Sequence, residues 1–305
     1  MQIKMENQNK KLNIAIIGLG YMGMHHLRTF HRMIRDDFIN ASIYAVSDPD
    51  LQQVDKVASQ YDVQLKTKDP KEAITDEKTD AVIIASPTKY HKKQAEWALK
   101  ADKHVYCEKP LCLTLRDSIE LAELAKESSK TSQVGLVMRH SPLISHIESL
   151  LKDEEKFGKP FRMNYVHDSC FPFPENGVYR TNWKKDLGST GGGILKEANV
   201  HDIDLLMHLF GDFKIKKADA KYIEPGLEKE IKATLEFESG LEVDFSTFWH
   251  KIKGRGTSRR MEVYCDNGMI VSDDFMFSGK VRHQTNKDNL TMLDPKDLFN
   301  LYLEE

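Results

Sequence analysis

Cysteine is scarce. The 305 residues hold four, Cys107, Cys112, Cys170 and Cys265, and no two stand at Cys-x-x-Cys spacing. Zinc ribbons and dithiol redox motifs need that spacing, so neither is expected, and the four read as reduced thiols rather than disulfides. Long apolar runs are missing as well; none reaches the roughly 18 residues that a membrane span requires. The opening stretch MQIKMENQNKKLN is polar and lacks the apolar centre of a signal peptide, which places the protein in the cytoplasm. Charge of one sign does not dominate either, since 44 Lys+Arg against 47 Asp+Glu give a formal net charge of -3. Without a basic block there is no surface for nucleic acid or anionic lipid, and a small molecule is the default partner.

What is present describes an ordinary soluble chain: 40% hydrophobic and 30% charged residues over a length that suits about two domains. The expected division is a polar tail over 1–11, a first domain over 12–138 and a second over 139–305. Near the start, the apolar run from Ile14 to Ile17 is short enough for a strand buried on both faces. It runs into Gly18, Gly20 and Gly23 at Gly-x-Gly-x-x-Gly spacing, followed by Met22, Leu27, Phe30 and Met33 or Ile34 at helical intervals. Strand, turn and helix thus fall in the order a dinucleotide site needs. Gly18 permits the tight turn, Gly20 lets backbone approach a pyrophosphate, and Gly23 lets helix and strand pack closely. A chance turn satisfies the same spacing. The next strand, ASIYAVSDPD, ends in Asp48, 30 residues after Gly18. A carboxylate there accepts from ribose hydroxyls and repels a 2′-phosphate, which favours NAD over NADP; the plainer reading is that Asp48-Pro49 caps the following helix.

Alternation of strand and helix continues through TDAVIIASPTKYH, a helix from about Lys92 to Ala101, the strand HVYC, a helix from about Leu115 to Ser128 and a sixth strand, SQVGLVMR. This predicts a doubly wound parallel sheet, whose ligands bind outside the carboxyl ends of its strands. Those ends hold Ser86-Pro87-Thr88, Glu108-Lys109-Pro110 and Met138-Arg139-His140. On its own, Glu108-Lys109 also reads as a solvated turn. Beyond about residue 155 the pattern changes to half-polar alternation, as in EIKATLEFESGLEVDFSTFWH, which predicts an α+β domain with a mostly antiparallel sheet. Glu238-Ser239-Gly240 and Asp266-Asn267-Gly268 stand where hairpin turns are expected.

One long helix is expected in GGGILKEANVHDIDLLMHLFG, closed by Gly211. At about 100° per residue, Glu197, His201, Asp204 and His208 share one stripe of it. Four ionisable groups on an apolar helix need partners, and three readings stand: a structural polar stripe, a catalytic face, or a metal site, since Glu and His at i, i+4 can chelate.

Taken together in this order, GLGYMG, SPTKYHKKQAEWALKADKHVYCEKPLCLT and GGGILKEANVHDIDLLMHLFG resemble the glucose-fructose oxidoreductase / inositol dehydrogenase / rhizopine catabolism (Gfo/Idh/MocA) family of NAD(P)-dependent oxidoreductases over nearly the whole chain. The resemblance implies an N-terminal Rossmann domain and a C-terminal domain with a large open sheet, through which such proteins form homodimers or homotetramers. The family's EKP lysine maps to Lys109, and its acid and histidine to Glu197 and His201, which raises the catalytic reading above the metal one; no metal is expected. The implied cofactor set is Gly18, Gly20, Tyr21, Met22, Gly23, Asp48, Ser86, Pro87, Thr88, His91, Glu108 and Lys109. The implied reaction is reversible hydride transfer between nicotinamide and a carbinol carbon of a sugar or cyclitol-like polyol. His201 would be the general base, imidazole being suited to neutral pH. Lys109 would favour the developing alkoxide, and Glu197 would orient the imidazole or bind a neighbouring hydroxyl. Substrate contacts are expected from Lys109, Asp204 and Tyr179, Arg180, Asn182 and Trp183, since aromatic faces stack on sugar rings.

Two departures stand out. Many relatives have Asp-x-Gly-x-His where this chain has Glu197, Ala198, Asn199, Val200 and His201. The ending DPKDLFNLYLEE opens as a helix, with Asp294 as cap and Pro295 in its first turn, yet stops where relatives continue, as a short or truncated form would. A cofactor-binding sensor without turnover, and a metal-dependent lyase or hydrolase using Glu197, His201 and His208, are the rival classes. Keeping both Lys109 and His201 argues against the sensor.

Overall fold

The computed structural model describes residues 10–170, 183, 186–252, 255–273 and 279–298. The chain divides into two compact units, Met1–Gly135 with Gly188–Gly191, and Leu136–Leu187 with Gly192–Glu305.

In the first unit, β1 (Leu12–Ile17) lies between parallel neighbours β2 (Ala41–Ser47) and β4 (Ala81–Ile84). With β3 (Leu65–Thr67), β5 (His104–Cys107) and β6 (Ser132–Val134) they form an all-parallel sheet of order β3-β2-β1-β4-β5-β6. The crossovers are α1 (Tyr21–Arg35), α2 (Leu51–Tyr61), α3 (Pro70–Thr75), α4 (His91–Lys100) and α5 (Leu115–Glu127). Several starts are fixed by side chains that satisfy first-turn N–H groups: Asp50 caps α2, Asp69 caps α3 ahead of Pro70, and Thr114 caps α5. Because side chains alternate along β1, Ile14 and Ile16 pack with Leu27, Val54 and Val57, while Ala15 and Ile17 pack with Ile74, Ala95, Ala98 and Leu121. Both faces are therefore buried, as the unbroken apolar run predicts. The sixth strand is shorter than expected. Gly135 still donates to Cys107 O, but a Cβ there would lie 2.8 Å from Tyr106 Oη, and beyond it Val137–His140 turns into a 3-10 helix of the second unit.

The second unit begins with α6 (Pro142–Lys152) and α7 (Glu154–Phe157), which lead into the long strand β7 (Pro160–Cys170). Next in the chain come α8 (Leu187–Thr190), which after Leu187 belongs to the first unit, and then α9 (Ile194–Glu197) and α10 (Val200–Phe210) of the second. Then follow β8 (Phe213–Glu224), β9 (Leu227–Phe237), β10 (Glu242–His250), β11 (Ser258–Cys265), β12 (Gly268–Asp273), β13 (Lys280–Thr285) and β14 (Thr291–Leu293). The sheet order is β14-β13-β12-β11-β7-β10-β9-β8, antiparallel except where β7 meets β10. Both expected hairpin turns are present, after β9 and after β11. Ile144 and Ile147 of α6 and Leu205 and Leu206 of α10 pack with Met163, Val243, Phe245 and Val263 of the sheet. The Tyr165 and Phe245 rings stack with centroids 5.4 Å apart. Asp294 accepts from the N–H groups of Lys296 and Asp297, so the final helical turn starts where its sequence predicts.

The single long helix is a correction: it is two helices, α9 and α10, parted at Ala198 and Asn199. Gly193 caps α9 because only a glycine fits; a Cβ there would stand 2.0 Å from Glu228 O of β9. Gly211 closes α10 at φ 85, as expected.

Candidate active site

The glycine turn can be tested sterically. Gly18 has φ +89, and a Cβ on it would meet Ala85 O at 2.8 Å, so the turn after β1 rests directly on the turn after β4. A Cβ on Gly23 would collide with Gly18 O at 1.8 Å. Gly20 differs, because nothing lies within 4 Å of its Cβ position and the protein itself does not require a glycine there. Gly20 is also the N-cap of α1 and supplies no side-chain cap, and the first turn of α1 has no acidic residue. Open space before a helix N-terminus is what a pyrophosphate needs. These residues fit NAD. Tyr21 and Met22, at the start of α1, are exposed.

Asp48 follows β2, and its carboxylate braces the glycine turn: Oδ2 accepts from Leu19 N–H at 2.7 Å and Oδ1 from Asp50 N–H at 2.9 Å. The capping role falls to Asp50 instead. A carboxylate has about four acceptor sites, so two bonds leave room for ribose hydroxyls. Ser86, Pro87 and Thr88 form the turn after β4; Ser86 Oγ donates to Gln94 Oε1 at 2.6 Å, and Thr88 is buried. The His91 ring is buried, with Nε2 2.8 Å from Ser86 O and Nδ1 2.8 Å from Pro110 O. It is a brace between two turns at the carboxyl edge of the sheet. Burial pulls its pKa below the ordinary value, against the bonds to Ser86 and Pro110 that pull the other way.

The motif after β5 stays in the ladder, since Glu108 N–H donates to Ile84 O. Glu108 is buried, not solvated; Oε1 lies 2.7 Å from His26 Nε2 on α1, and Oε2 accepts from Lys109 N–H at 3.2 Å. Burial pushes its carboxyl up, but the His26 bond and the charges of His26 and Lys109 outweigh that and hold it below the usual glutamate range. Lys109 is half-buried, and its peptide bond to Pro110 is cis. Sequence reasoning missed His26; the signal was its place on α1 three residues beyond Gly23.

In the second unit the expected stripe sorts itself. Asp204 accepts from Arg139 on both carboxylate oxygens, with Nε at 3.0 Å from Oδ2, and two bonds leave acceptor sites open as they do at Asp48. His208 Nε2 lies 3.6 Å from Glu148 Oε2 of α6. Glu197, at the end of α9, and His201, in the first turn of α10, are both half-buried. Asp202, next after His201, is fully buried, and its carboxyl is kept well below its ordinary pKa: burial opposes the charge, but His167 and Arg259 overcome it. Its partners come from residues 35, 37 and 57 positions away, so no local pattern announced them. Tyr179, Arg180 and Asn182 lie outside the described residues; Trp183 is described and half-buried. Among the described residues no group of three His, Cys, Asp or Glu is arranged to hold a metal ion, and no helix is long and apolar enough to cross a membrane.

Residues 12–136 match the Gfo/Idh/MocA oxidoreductase family, NAD-binding Rossmann fold, and residues 149–271 match the Gfo/Idh/MocA C-terminal domain. The chain belongs to this family. It is an NAD-dependent oxidoreductase of two domains. Among curated relatives, it is 26% identical to scyllo-inositol 2-dehydrogenase (NAD(+)) of Bacillus subtilis, over 96% of this chain and 79% of that one. It is 29% identical to myo-inositol 2-dehydrogenase of Thermotoga maritima, over 86% of this chain and 75% of that one. Among solved structures, levoglucosan dehydrogenase in complex with NADH and L-sorbose shares the fold, with a TM-score of 0.81 at 19% identity over 95% of this chain and 82% of that one.

Proposed function

We propose that this family member oxidises a carbinol carbon of a sugar or cyclitol-like polyol and passes the hydride to NAD, in a reversible reaction. The observation that carries the reading is the glycine turn: Gly18 packs against Ala85, while nothing lies within 4 Å of a Cβ on Gly20 at the start of α1, which suits a dinucleotide pyrophosphate. The inositol dehydrogenases among the relatives support the substrate class.

Bound NAD supplies the two-electron acceptor. His201 takes the hydroxyl proton as the C–H bond gives up its hydride, so the carbinol becomes a carbonyl and one proton is released. Lys109 favours the developing alkoxide, and Glu197 orients the imidazole. Gly18, Gly20 and Gly23 would hold the pyrophosphate of NAD, with Tyr21, Met22 and Asp48 completing its site. Ser86, Pro87 and Thr88 border the cofactor, and Glu108 keeps Lys109 in place. Tyr179, Arg180, Asn182 and Trp183 read the sugar. Self-association as a homodimer or homotetramer through the second sheet is part of the same proposal. Four free thiols accord with a cytoplasmic setting.

The test offers NAD and a panel of cyclitols, aldoses and amino-sugar derivatives to the wild type and to Lys109→Ala and His201→Ala, following NADH absorbance. NADH formed with one class and lost in both variants supports the reading. Silence across the panel with measured NAD binding contradicts it and favours a sensor.

A further inference from the structure

The inward face of the second sheet changes character along its strands. Met163 of β7, Val243 and Phe245 of β10, and Met261 and Val263 of β11 are apolar, but His167, Thr247 and Arg259, further toward one end of the same strands, are polar and buried. All three meet the first turn of α10. Asp202 Oδ1 accepts from Tyr165 Oη at 2.6 Å and Arg259 Nε at 2.7 Å; Oδ2 accepts from His167 Nδ1 at 2.6 Å and from the Asn199 amide. Four donors fill the acceptor sites of one carboxylate. Asn199 Nδ2 also donates to Thr247 Oγ1 at 3.1 Å.

Asn199 is the N-cap residue of α10, where an asparagine ordinarily bonds the helix's own N–H groups, yet it makes no side-chain cap bond here. Its amide is turned to Asp202 and Thr247 instead, and the break between α9 and α10 falls at this residue. Stability alone accounts poorly for such an arrangement, since buried ion pairs can often be replaced by apolar groups of similar volume without loss. What the bonds do supply is a fixed place for the helix start, because residues 199 and 202 are tied to three strands. His201 stands between them in the chain.

We propose that Asp202 is a positioning residue for His201, setting the imidazole's orientation by fastening the first turn of α10 to β7, β10 and β11. This rests on the reading of His201 as the general base. Asp202 touches neither substrate nor cofactor in this account.

The test is a double-mutant cycle on the full-length protein with NAD and the panel substrate it oxidises best: wild type, Asp202→Asn, His201→Gln and the double variant. Asp202→Asn keeps the side chain's shape and is expected to lower kcat about tenfold to a hundredfold while leaving the Kd for NAD unchanged. In the His201→Gln background the same substitution is expected to change kcat less than about twofold. Equal fold-losses in both backgrounds would mean a structural effect and overturn the proposal. So would a wild-type kcat in Asp202→Asn beside an inactive His201→Gln, a result that spares the base assignment. A wild-type kcat in His201→Gln overturns base and positioning together. Should Asp202→Asn fail to fold, Tyr165→Phe and Thr247→Val each loosen the cluster and carry the same cycle, with smaller losses in kcat that must again vanish when His201 is absent.

Discussion

His26 Nε2 lies 2.7 Å from Glu108 Oε1, so the helix behind the glycine turn is bonded to the strand exit that carries Lys109. Both side chains are largely buried. His26→Ala leaves Glu108 short of a partner in a site where water is scarce, and is expected to cost about 1–3 kcal/mol of stability. Thermal unfolding checks this, and kcat is expected to fall with it because Glu108 Oε2 holds the Lys109 N–H.

The same contact has a pH signature. Glu108 has a folded pKa below the ordinary 4.5, so its contribution to stability is fully present above that value and is lost as pH falls through the lowered one. The stability advantage of the wild type over His26→Ala is therefore expected at neutral pH and to shrink below pH 4.5. Denaturant unfolding of both proteins across that range measures it.

Gly20 and Gly23 are expected to respond in opposite ways. A methyl group at Gly20 meets nothing of the protein, so Gly20→Ala leaves the melting temperature nearly unchanged and raises the Kd for NAD. Gly23→Ala places a Cβ 1.8 Å from Gly18 O and is expected to destabilise the first unit by several kcal/mol, about 3 or more. Calorimetry and NAD titration separate the two effects.

On the proposed reading, Asp48 sets cofactor choice. Asp48→Ser removes a negative charge that repels a 2′-phosphate, and the ratio of kcat/KM for NADP to that for NAD is expected to rise at least about tenfold. Because Asp48 also braces Leu19 N–H, activity with NAD falls in the same variant.

Gly193→Ala tests the second unit. Its Cβ would stand 2.0 Å from Glu228 O, and α9 can yield only by leaving β9. Loss of kcat with an unchanged Kd for NAD is expected, since the cofactor residues belong to the other unit.

The first unit was legible because its rules are local. An apolar run predicts a strand buried on both faces, and Gly18, Gly20 and Gly23 fall where a turn, an open approach and a close contact are found. Hairpins at Gly240 and Gly268 followed from turn chemistry in the same way. What the sequence does not show is long-range. Helical phase puts Asp204 and His201 on one stripe, but it does not reveal that Arg139, 65 residues earlier, donates to the Asp204 carboxylate. For His91, only the fold brings Ser86 O and Pro110 O to its two ring nitrogens. Asn199 was noticed as a departure from relatives, while its bonds to Asp202 and Thr247, which part α9 from α10, needed the sheet to be seen.

The central claim is hydride transfer from a carbinol carbon, and label transfer tests it most directly. The protein is given NAD and a cyclitol or sugar, chosen from the active class, that carries deuterium on its carbinol carbons, and the NADH formed is analysed by mass spectrometry. The account predicts NADH heavier by one deuterium, with turnover slowed by the label or unchanged, and no label released to water. Unlabelled NADH, or deuterium lost to solvent without NADH, would contradict it.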